Sequence, residues 1–91
     1  MVISLAAEFA PSIRVNAIAP SLTRTPLAGQ LTAKDEKLSR LANAHPLGRL
    51  GEPEDIANMA AFLLNSQESS WITGQIIRVD GGRSVLRHKN Q

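Results

Sequence analysis

The chain has 91 residues, enough for one small domain and too few for two. Hydrophobic residues are 43% and charged residues 20%, a globular balance that excludes a disordered chain, and no apolar run is long enough to cross a bilayer. The net charge of +2 is local: Arg83, Arg87 and Lys89 lie in the last nine residues, and ten basic residues less these three leave seven against eight acidic.

The body of the chain is therefore not basic, and three aromatics in all give no base-stacking pattern, so a nucleic-acid role is not expected. With no cysteine there is no disulfide framework and no thiolate metal site, which fits a cytoplasmic protein. The apolar start Met1–Ala7 lacks a basic flank and is cut by Glu8, so it does not read as a signal peptide.

Val2, Leu5, Ala6 and Phe9 fall at i, i+3, i+4 and i+7 and predict a helix, closed by Pro11. The helix has no start signal and begins in mid-pattern. Ile13–Ala19 reads as a strand whose near-continuous apolarity suits a parallel sheet covered on both faces. Its sequel, Pro20-Ser21-Leu22-Thr23-Arg24-Thr25-Pro26, is a loop, and loops at the carboxyl ends of such strands are where doubly wound sheets bind ligands.

Thr32 and Asp35 suggest a capping box opening a second helix, with Leu38, Leu41 and Ala42 on one face, ended by Pro46. Leu47–Glu52 is a turn. Pro53 fits the first position of a third helix, with Glu54 and Asp55 near the positive end of its dipole. Ile56, Met59, Ala60 and Leu63 form its apolar stripe. Ser66–Ser70 connects to a second strand, Gln75–Val79, which Asp80-Gly81-Gly82 ends as a turn. Helix, strand, helix, helix, strand implies a parallel crossover. Two strands alone are marginal, so the chain reads as the end of a larger α/β sheet.

Four segments in order carry a family resemblance. Leu5-Ala6-Ala7-Glu8-Phe9, Arg14–Leu27, Leu47–Ala57 and Trp71–Gly82 resemble, respectively, the end of the catalytic helix, the sixth strand with its Pro-Gly-x-x-x-Thr loop, the turn into the last long helix, and the closing strand of the classical short-chain dehydrogenases/reductases. Ser21 stands where that family usually has Gly. The resemblance covers Leu5 to Gly82 and implies the fold class, α/β, a C-terminal fragment of a doubly wound parallel (Rossmann-type) sheet, and a division into residues 1–82, the C-terminal part of a Rossmann-type dehydrogenase domain, and 83–91, a basic, flexible tail.

The resemblance also implies an NAD- or NADP-dependent oxidoreductase that moves hydride between nicotinamide and a small-molecule carbonyl or alcohol, usually as a homo-oligomer. Matched residue by residue, the cofactor-binding candidates are Pro20, Ser21, Thr23 and Thr25. Thr25 before Pro26 also reads as a helix N-cap. Thr32–Ala44 resembles the family's substrate lid.

No catalytic residue is assigned. The sequence contains no Tyr, so the family's Tyr-x-x-x-Lys pair is absent, and it contains no Gly-rich phosphate loop. The chain alone is therefore expected to be inactive. The alternative is a non-catalytic interaction fragment that docks by its sheet edge or the Ile56-Met59-Leu63 face. His45 and His88 have no metal-ligand spacing, so no metal is expected. Trp71 reads either as a core anchor beside Phe62 or as an interface residue.

Overall fold

The computed structural model describes residues 1–24 and 35–86. Their order is α1 (Val2–Phe9), β1 (Ala17–Pro20), α2 (Asp35–Asn43), α3 (Pro53–Leu64) and β2 (Ile76–Val79). The expected α/β order is present. β1 and β2 pair in parallel, with Ala17 opposite Ile76 and Pro20 opposite Val79.

β1 is shorter than the strand read from Ile13–Ala19. The chain from Arg14 to Asn16 is extended by hydrogen bonds outside the regular ladder. The Val15 amide donates to Thr73 Oγ1 at 3.0 Å, and its carbonyl accepts the Gly74 amide at 2.8 Å. Asn16 Nδ2 donates to the Ile72 carbonyl and its Oδ1 accepts the Gln75 amide, both at 3.0 Å. Side chains here replace the ladder, so periodicity alone overextends the strand.

Arg14 fixes the same end from outside the sheet. Its Nη2 donates to the Leu63 carbonyl at 2.8 Å and its Nη1 to the Ile72 carbonyl at 3.2 Å. One guanidinium thus joins β1 to the last turn of α3 and to the segment before β2. Ser69, 1% exposed, supports that last turn by donating to the Leu63 and Asn65 carbonyls. Orphan carbonyls at the end of α3 thereby find donors.

Local chemistry sets the helix ends. Ala10 is extended (φ −67°, ψ 147°), as a residue before proline must be, and α1 stops there. Ala6, the buried residue of α1, lies over Gly74. Gly74 has φ +75°, and a Cβ built there would lie 3.6 Å from the Ala6 Cβ. The left-handed backbone is the reason for glycine, since the added atom itself would fit.

Pro53 occupies the first turn of α3 as expected, after an extended Glu52. The α3 stripe of Ile56, Met59, Ala60 and Leu63 is half-buried, and the helix packs against β1. The Thr32–Asp35 capping box lies outside the described residues, and so does Thr25.

The core is thin. Among the described residues, Ala6 and Leu50 are the buried apolar side chains. Trp71 is 98% exposed and Phe62 lies at the surface, so the core-anchor reading of Trp71 does not hold in this chain. Ile3, Ile13, Leu64 and Ile76 are exposed as well.

Two expectations follow. The isolated chain should melt broadly or aggregate on heating; a sharp, reversible transition in calorimetry contradicts that. Asn16→Ala removes two cross-strand bonds and should cost about 1–3 kcal/mol, read as faster amide exchange at Gly74 and Gln75.

Candidate functional site

The carboxyl edge of the sheet is built by two segments that continue the strands. After β1, Ser21 donates its amide to the Val79 carbonyl at 3.4 Å. Thr23 then pairs with Gly51 in an isolated parallel bridge. The Gly51 amide donates to the Leu22 carbonyl at 3.1 Å, and the Arg24 amide to the Gly51 carbonyl at 2.8 Å. The turn before α3 therefore acts as a short third rail for the loop.

Pro20 and Ser21 sit at the strand end, Pro20 exposed and Ser21 half-buried. Among the described residues no non-glycine has positive φ, so serine meets the backbone demand at position 21 without left-handed strain. Thr23 Oγ1 donates to the Ser21 carbonyl at 3.1 Å, closing the loop on itself. The structure thus brings Pro20, Ser21 and Thr23 together on one edge.

Two residues with no assigned role in the sequence reading complete the site. The first is His45, only 2% exposed. Its Nδ1 lies 2.8 Å from the Leu41 carbonyl and its Nε2 2.9 Å from Ser21 Oγ. A carbonyl only accepts, so Nδ1 carries a proton, and in the neutral ring Nε2 then accepts from the serine hydroxyl. The available signal is the i, i+4 spacing of Leu41 and His45 before Pro46, which allows a side chain to cap the helix end.

The second is Arg49. Its Nη1 and Nη2 reach Asp55 Oδ2 and Oδ1 at 2.8 and 3.3 Å, and its Nη1 also donates to the Leu50 carbonyl. Asp55 Oδ2 accepts the Glu52 amide at 2.8 Å as well. The acidic start of α3 is therefore a helix cap and ion pair. The Arg49 guanidinium, followed by the Glu52 amide, holds the Asp55 carboxyl below its ordinary range. Just after β2, hydrogen bonding from the Ser84 hydroxyl, with the Gly82 and Ser84 amides, holds Asp80 below its ordinary range too.

These residues surround a cavity of about 170 Å³ whose walls include Ser21, His45, Leu47, Arg49, Asp80 and Gly81. Gly81 has φ +60°, and a Cβ there would lie 3.5 Å from the His45 Cβ. Among the described residues no cluster of His, Asp or Glu could hold a metal ion, and no helix is long and apolar enough to cross a membrane.

A parallel β–α–α–β crossover with a loop at the strand ends is the architecture of a Rossmann-type segment. The family described as enoyl-(acyl carrier protein) reductase matches residues 1–84. A chloroplastic tropinone reductase homolog of Arabidopsis thaliana is 46% identical over 83 residues, 90% of this chain and 26% of that protein. A 3-oxoacyl-(acyl-carrier-protein) reductase of Thermotoga maritima is 48% identical over 73 residues, 78% of this chain and 28% of that protein. The solved structure of a short-chain type dehydrogenase/reductase from Mycobacterium ulcerans superposes with a TM-score of 0.82 at 46% identity, covering 94% of this chain and 31% of that one. The chain belongs to the short-chain dehydrogenase/reductase family and corresponds to its C-terminal portion. It spans roughly a quarter to a third of the length of these relatives.

The ion pair at the start of α3 has a pH signature. Asp55 has a folded-state pKa below the ordinary 3.8. Its stabilisation is therefore complete above 3.8 and is lost as pH falls through the lower, folded value. Acid titration should release the Glu52 amide below the ordinary carboxylate range, and Asp55→Asn should weaken its protection already at neutral pH. Amide exchange at Glu52 reads both.

Proposed function

We propose that this chain forms the nicotinamide-side wall of an NAD- or NADP-dependent oxidoreductase whose substrate is a small-molecule carbonyl or alcohol. The observation that supports this most is the loop Pro20–Thr23, held at the carboxyl ends of two parallel strands with its hydroxyl protons already committed within the chain. Bound there, the cofactor supplies or accepts the hydride.

The residues present suit one end of that cofactor. The Ser21 hydroxyl donates a hydrogen bond to His45 Nε2 and the Thr23 hydroxyl donates one to the Ser21 carbonyl. Both oxygens keep lone pairs and so accept hydrogen bonds. A carboxamide has N–H groups to donate and fits this pattern. The exposed Pro20 ring adds an apolar surface beside it. Thr25 is proposed as a further contact or as the cap of the segment that follows.

The other end is not served. These 91 residues contain no Tyr and no Gly-rich phosphate loop. In this reading the acid/base Tyr, its Lys and the pyrophosphate cradle come from outside the sequence in hand. Residues 1–82 act as the C-terminal part of the dehydrogenase domain, and 83–91 as its basic tail. We place the complete enzyme in the cytoplasm and as a homo-oligomer, the latter supported by the exposed Trp71. That same exposure favours the second reading, a non-catalytic fragment that docks on a full-length relative. Co-elution of the two in size exclusion supports it and separate elution removes it.

The purified chain should show no cofactor-dependent turnover of aldehydes, ketones or alcohols above a boiled control; turnover contradicts the proposal. In a longer form carrying a Tyr-x-x-x-Lys segment, Thr23→Val should raise the cofactor KM about three- to tenfold with a smaller change in kcat. An unchanged KM removes Thr23 from the site.

A further inference from the structure

We propose that His45 is a positioning residue, pinning the end of α2 to the loop after β1 and holding Ser21 Oγ as a hydrogen-bond acceptor toward the cavity, an inference that rests on the functional reading above. The imidazole is buried and both ring nitrogens are engaged. Leu41 lies in the last turn of α2, where carbonyls lack intrahelical partners, so His45 Nδ1 acts as the helix's C-terminal cap. That bond fixes the tautomer, and the tautomer fixes the direction of the Ser21 hydroxyl.

The neighbouring backbone braces the ring. The Ala44 amide donates to the Arg40 carbonyl at 3.0 Å and the His45 amide to the Ala42 carbonyl at 3.1 Å. The Leu47 amide donates to the Gly81 carbonyl at 3.1 Å. The C-terminal end of α2 is therefore tied to both strand ends, to β1 through His45 and to β2 through Leu47.

The consequence is a ligand preference. With its O–H directed at His45 Nε2, Ser21 meets an entering group only as an acceptor. The charges facing the cavity agree: Arg49 is paired with Asp55, and Asp80 adds a carboxylate. The cavity is thus matched to amide or hydroxyl donors and mismatched to a carboxylate.

The test uses the 91-residue chain labelled with 15N-histidine, with His88→Gln leaving one reporter, at a pH above the ordinary histidine range. The Nδ1-protonated form should dominate. Ser21→Ala should move the Nε2 resonance and speed exchange of the Ala44 amide about three- to tenfold, and Ser21→Thr, which keeps the hydroxyl, should restore both. His45→Asn keeps a donor for Leu41 but loses the acceptor for Ser21, so it should match Ser21→Ala in the exchange rate, and the double variant should add nothing. A fast mixture of both tautomers, in a folded or an unfolded chain, overturns the proposal, as does an additive double variant. Nicotinamide should perturb the Ser21 and Gly81 amides while nicotinate does not. If the tautomer is fixed and neither compound perturbs them, His45 keeps its role and the nicotinamide reading fails.

Discussion

The parallel pairing of β1 with β2 carries everything else in this molecule. Four residues on each side form the ladder, but its effective length is set by what extends it. On the amino side, Arg14 and Asn16 clasp the carbonyls and amides before β2. On the carboxyl side, the Thr23–Gly51 bridge prolongs the line past Ser21. Without these extensions two short strands form a marginal sheet, and the loop that bears the candidate site has no fixed position.

The interactions that hold the site differ in weight. The Arg49–Asp55 pair is exposed to solvent, and exposed pairs contribute little. Its value lies in capping α3, whose start also presents Gly51 to the loop. The His45 bonds are buried, where an unsatisfied nitrogen or carbonyl is costly. Among the described residues every buried polar side-chain atom has a partner. Polar bonds therefore define this structure more than apolar packing does. That is what an α/β segment looks like when its faces stand exposed, as the Trp71 and Leu64 surfaces do.

The sequence carried the element order well because local chemistry sets it. Pro11, Pro53 and the Asp80-Gly81-Gly82 turn act within a few residues, and the helix stripe of α3 needs no partner to be read. The exact extent of β1 was not legible, because Arg14, Val15 and Asn16 bond to residues almost sixty positions away. The same limit hid His45. Its burial and its bond to Ser21 arise where the turn after α2 meets the end of β1, across 24 residues of sequence. Trp71 failed as a core anchor for a related reason: aromatic character announces a need for burial but not which surface supplies it. Pro20, Ser21 and Thr23 were legible as a loop by position, whereas the direction in which their hydroxyls point was not.

The account stands on the claim that one continuous ladder fixes the loop. Amide hydrogen exchange of the chain, compared at Ala17, Ser21, Arg24 and Gly51, tests it most directly. These amides donate, in turn, to the Gln75, Val79, Gly51 and Leu22 carbonyls. The account predicts that all four exchange at similar, slowed rates, as amides of one ladder that opens together do. Protection at Ala17 with free exchange at Arg24 and Gly51 would show that the ladder ends with the strands and leaves the loop unfixed.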